Sequence, residues 1–92
     1  MQYKNELELL ATLDADTIAR VCASPIVATG MIGDALDECL DLDERADEYL
    51  LADDLDHAAY CRQEAAAWRA TVTVLRALAA RSPNARHESG AA

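Results

Sequence analysis

Residues 55–80 read LDHAAYCRQEAAAWRATVTVLRALAA, and their spacing decides the fold. Ala58, Cys61, Ala65, Trp68, Val72, Leu75 and Ala79 recur at alternating steps of three and four. That is a heptad-like seam kept for three repeats, the pattern of a helix lying along another helix. Arg62, Arg69 and Arg76 stand beside it at intervals of seven, so they share one helix edge. Neither Gly nor Pro interrupts the run until Ser82-Pro83 ends it. The sole tryptophan, Trp68, is expected to be the main core anchor.

Working back from this helix, Asp53-Asp54 marks a turn. Before it, Ala28, Ile32, Ala35, Cys39, Leu42, Ala46 and Tyr49 form a second apolar stripe. This predicts a helix from Pro25 to about Leu51, either unbroken or restarted by Asp43 as a cap. Ser24-Pro25 is a strong start: serine caps exposed amides, and proline in the first turn lacks an N–H that would be unpaired anyway. Gly30 and Gly33 weaken the helix, and their spacing predicts a close approach by another helix. Asp14 is expected to cap a short helix through Thr17, Ile18, Val21 and Cys22. A first helix is expected from Tyr3 to Leu13, with Leu7, Leu10 and Ala11 on one face.

Composition agrees. The 92 residues are 52% hydrophobic, rich in Ala and Leu, with no Phe, three Gly and two Pro, which favours packed helices over strands. The expectation is an all-α fold: a compact bundle of four to five helices, with the long C-terminal helix as its spine. Residues 1–81 form a single domain, and residues 82–92, which lack periodicity, form a flexible tail. No signal or transit peptide is visible, and the longest uncharged run, Val21 to Gly33, is too short to span a bilayer, so a cytoplasmic chain is expected. The three cysteines, Cys22, Cys39 and Cys61, are far apart and form no C-x-x-C pair, which argues for buried thiols rather than a zinc or redox motif.

The charge is concentrated. Asp34 to Asp56 holds eleven carboxylates and one base, Arg45, so this stretch supplies −10 of a formal net −9 and the rest of the chain is slightly basic. On a helix, Asp34, Asp37, Glu38, Asp41, Glu44 and Glu48 recur at three- and four-residue steps, a stripe of roughly 21 Å. Like-charge neighbours at these spacings cost on the order of 1–3 kcal/mol in total before screening. A rigid row of carboxylates suits a Lys/Arg-lined groove on a protein partner and repels nucleic acid. Asp34, Asp37, Glu38, Asp41, Glu44 and Glu48, with the terminal cluster Asp53, Asp54 and Asp56, are therefore the candidate partner-binding residues. A plain solvated face, partly neutralised by the arginine edge of the last helix, is the competing reading.

Catalytic and metal motifs are weaker. His57 and His87 are the only histidines, and Asp54-x-x-His57 is half of a carboxylate–histidine site without its second half. The Asp-x-Asp-x-Arg run from Asp41 puts a cation where a calcium ligand belongs. Thr29-Gly30-Met31-Ile32-Gly33-Asp34 lacks the strand and lysine of a phosphate loop. Glu38-x-x-Asp41 and Glu44-x-x-Asp47 have a spacing able to hold Mg, as in small helical pyrophosphohydrolases, but only Glu6 and Glu64 are available to face them. The expectation is a non-enzyme without cofactor or metal.

In size, helical class and the Asp34–Asp56 charge block, the chain resembles the small acidic inhibitors carried by bacteriophages, including DNA-mimicking anti-CRISPR proteins. The resemblance implies an inhibitor that occupies the basic groove of a DNA-binding protein, such as the PAM-reading part of a CRISPR surveillance complex. Alternatives from other classes are a regulatory or antitoxin-like helical module that binds a partner without imitating DNA, and a homo-oligomeric bundle using the seam around Trp68. The expected assembly state is a monomer or weak homodimer.

Overall fold

A computed structural model of the protein describes residues 2–81, so the expected tail at 82–92 lies outside the described residues. Four helices follow one another: α1 (Gln2–Leu10), α2 (Ala15–Ala23), α3 (Pro25–Leu51) and α4 (Leu55–Ala79). The described residues contain no strand. The all-α class and a long C-terminal helix are as expected, and α3 matches α4 in length. The outline is drawn out, 58 × 20 × 17 Å with a radius of gyration of 16.0 Å. A globule of this size has a radius nearer ~12 Å.

Each boundary has a local cause. The Asp14 carboxylate accepts the Thr17 N–H at 2.8 Å and starts α2. The Thr17 backbone N–H, and then its hydroxyl, hold the Asp14 carboxyl below its ordinary value. Ser24 closes α2 by donating its N–H to the Arg20 carbonyl, and opens α3 by accepting the Val27 N–H at 3.3 Å. α3 runs unbroken through Asp41–Asp43 and ends in a Schellman turn, in which the Asp54 N–H reaches the Tyr49 carbonyl at 2.8 Å and the Asp53 N–H the Leu50 carbonyl at 3.0 Å. Asp53 takes the left-handed position there (φ 62°), where Asp and Asn are the tolerated alternatives to Gly. Asp54 then caps α4 through the His57 N–H.

The core is at one end. Leu7 of α1, Ile18 and Val21 of α2, Ala28 and Ala35 of α3, and Val72, Val74, Leu75 and Leu78 of α4 form one buried cluster. Farther along, the buried residues are Cys39, Ala46, Ala58, Cys61 and Ala65, which line a seam between α3 and α4. α1 and α2, nine residues each, span only ~13 Å apiece and leave this part uncovered. The molecule is thus a four-helix head continued by a two-helix arm.

Three expectations are corrected here. The first helix stops at Leu10, and Ala11 is not on its face but in a left-handed turn (φ 56°). That turn is tied down from a distance: the buried Thr71 hydroxyl donates to the Ala67 carbonyl at 2.9 Å and meets the Thr12 hydroxyl at 2.5 Å. Trp68 is only partly buried against the core, whose largest fully enclosed side chains are Leu7, Leu75, Leu78, Val21 and Thr71. Gly30 and Gly33 are not a helix-contact site, because a Cβ at either would meet nothing within 4 Å. Replacing both with alanine is therefore expected to stabilise the fold by roughly 1–2 kcal/mol through helix propensity alone. Urea unfolding measures this, and a loss of stability would show that something does pack on that face.

Candidate functional site: the acidic flank of the hairpin

At ~100° per residue, α3 divides into a buried seam and two unlike flanks. Glu38, Arg45, Asp34, Asp41, Glu48, Asp37 and Glu44, in that angular order, run from about 75° to about 195° from the middle of the seam, down one side and round the back. Asp34, Asp37, Glu38, Asp41, Glu44 and Glu48 are all exposed. On the other flank stand Leu36, Leu40, Asp43, Asp47 and Leu50.

The arginine edge of α4 meets this second flank. Arg69 pairs with Asp43, and Arg62 with Asp47 at 3.5 Å. The arginines thus take the two carboxylates beside the seam and leave the outward row alone. Within that row, Asp41 pairs with Arg45 on its own helix at 3.1 Å. Among the described residues, Asp34, Asp37, Glu38, Glu44 and Glu48 form no ion pair with an arginine or lysine. What remains is an acidic surface along one unbroken helix, with Arg45 as the one base in the row and the seam beneath it.

The terminal cluster behaves differently. One Asp54 oxygen caps α4 and the other lies 2.7 Å from His57 Nδ1. The His57 ring stacks on Tyr49 with centroids 5.0 Å apart. Asp54 is therefore committed to building the turn. Asp53 is exposed but serves through its backbone, and Asp56 sits in the first turn of α4, where a carboxylate favours the helix dipole. The structure brings Asp34 to Glu48 together as one flank and sets Asp53, Asp54 and Asp56 apart at the tip.

Among the described residues no three His, Cys, Asp or Glu side chains gather in a way that would hold a metal ion. Glu6 belongs to α1 and lines a small apolar groove with Leu9, Leu10 and Val74, on the head rather than opposite the acidic row. Cys22, Cys39 and Cys61 are free thiols; burial pushes the Cys39 thiol up, and its Sγ lies 3.8 Å from the Ala65 carbonyl oxygen. No described helix is long and apolar enough to cross a membrane.

Sequence reasoning missed the mixed flank opposite the acids. Its signal was available: Leu36, Leu40, Asp43, Asp47 and Leu50 repeat at steps of four and three, one row over from the seam.

Comparison with curated proteins finds no match, and comparison with solved structures finds none. A family model does match, that of the TY-Chap C-terminal domain, over residues 1–81. The chain therefore belongs to the TY-Chap C-terminal domain family.

Proposed function

We propose that the chain is a helical protein-interaction module of chaperone-like type, whose acidic α3 flank docks a basic segment of a protein partner. The observation that carries this reading is the division of labour among the arginines. Arg62 and Arg69 neutralise Asp47 and Asp43, while the outward row keeps its charge despite its cost to the helix. A merely solvated face has no need of that arrangement. The family name points to chaperone-type work on proteins, which supports a module that binds without imitating DNA. Inhibition of a CRISPR complex by DNA mimicry rests on charge alone and is the weaker version of the same docking.

The test is charge reversal at Asp37, Glu38, Asp41 and Glu44, all changed to Lys. These positions are exposed, so helical content should stay as in the wild type. The expected result is loss of the protein captured by the wild-type chain. Capture should also fall steeply as salt rises from about 50 to 300 mM, because surface charge is screened over that range. Duplex DNA added in excess should leave capture unchanged; displacement by DNA would restore the mimic reading. Equal capture by wild type and reversed variant at every salt concentration would end docking through this flank.

A further inference from the structure

The flank opposite the acids has an order of its own. Leu36 and Leu40 stand at one end, and Leu50 and Leu55 at the other; they are 39%, 63%, 41% and 63% exposed. Between them the Asp43–Arg69 and Asp47–Arg62 ion pairs bridge the two helices. A groove of about 500 Å³ opens at the Leu36 end, bounded by Leu40, Val72 and Arg76. Along the arm, the flank therefore reads apolar, charged, apolar.

We propose that a second copy of this chain covers this flank, in an antiparallel two-fold pairing whose axis passes between the levels of Asp43 and Asp47. Leu36 and Leu40 of one copy then rest on Leu50 and Leu55 of the other. Two features single out a second copy as the occupant. The two leucine pairs lie at similar distances, about 10 Å, on either side of that axis at ~1.5 Å per residue, so the surface is complementary to itself. In a chain of net −9 this is the flank on which two copies meet without opposing rows of carboxylates, since Asp34, Asp37, Glu38, Asp41 and Glu48 stay outside.

Size sets the strength. The patch runs ~22 Å along the helices and is at most 20 Å wide, a flat footprint of roughly 450 Å². Stable interfaces bury about 800 Å² per partner, so this one is weak and reversible. The pairing stacks two hairpins into a four-helix layer and gives the alanine seam of the arm a second layer of packing. Both acidic flanks remain outward.

Sedimentation velocity across a concentration series tests the pairing. The expected mass rises from the 9.9 kDa of one chain toward twice that value. Association should strengthen with salt as the net charge is screened, opposite to the behaviour expected of the acidic flank. Leu40→Glu and Leu50→Lys, both at exposed positions, should each weaken association at least tenfold. An equimolar mixture of the two variants should associate again, because one contact then sets Glu against Lys and the other keeps its two leucines. A mass of one chain at every concentration up to about 0.5 mM would overturn the proposal. So would dimers that neither substitution weakens, or a mixture that stays monomeric.

Discussion

Leu75→Ala is expected to remove about 3–4 kcal/mol of stability, the largest loss of any single truncation in this chain. Leu75 is fully enclosed where all four helices meet, beside Leu7, Val21, Ala35 and Leu78. Truncation loses the transfer free energy of the side chain and leaves a cavity that the surrounding helices fill only partly. Little can relax inward, since the fully buried neighbours on α3, Ala28 and Ala35, are alanines. α1 and α2 are nine residues each, too short to hold helical structure in water unless docked, so loosening this contact releases both together. A domain of this length has a total stability of roughly 5–14 kcal/mol. The substitution should lower Tm by about 12–32 °C, from ~4–8 °C per kcal/mol in small domains. Leu51→Ala is the control: that side chain is 90% exposed, and its loss should stay within about 0.5 kcal/mol. A drop below about 1 kcal/mol for Leu75→Ala would mean that the head is not the stability centre described above.

The same residues show how far the sequence could be read. The seam from Ala58 to Leu75 and the stripe from Ala28 to Ala46 were visible as spacing, because burial between two helices imposes a period close to 3.5. Asp14, Ser24 and the Asp53-Asp54 turn were visible because capping chemistry is local. Three things were not. The end of α1 depends on Thr12 meeting Thr71 across 59 residues, and Ala11 carries no local sign of a left-handed turn. Thr71, Val74 and Leu78 form a second apolar stripe on α4, needed because α1 and α2 cover a different face from α3; a single heptad seam is too narrow for a helix with several neighbours. Trp68 was overvalued because size was taken for burial, whereas a seam of alanines and cysteines brings the helices too close to enclose an indole. For the acidic row, phase alone showed which carboxylates share a flank. Which of them the arginines take depends on which edge of α4 faces α3, and that is a tertiary fact.

Ala65→Leu should have the next largest effect, for the opposite reason. Ala65 is fully buried in the arm, and the Cys39 sulfur reaches its carbonyl oxygen at 3.8 Å, so α3 passes directly over it. Side chains this small let helix axes approach to near the ~8 Å lower limit of helix packing. A leucine there has no room unless the helices separate, and overpacking of this kind costs typically 1–3 kcal/mol. The arm has no third helix to absorb the strain, so about 2–3 kcal/mol is expected here. Separation should also weaken the Asp43–Arg69 and Asp47–Arg62 bridges, which span the same gap. Hydrogen exchange would locate the damage: amides of residues 39–51 and 55–65 should lose protection while those around Leu7 and Leu78 keep it, since opening of the arm leaves the head docked. Ala66→Leu, one residue along and exposed, should leave stability within about 0.5 kcal/mol. If Ala65→Leu matched that control, the helices would be farther apart than this seam requires, and the acidic row would lose the rigid support that the proposed docking requires.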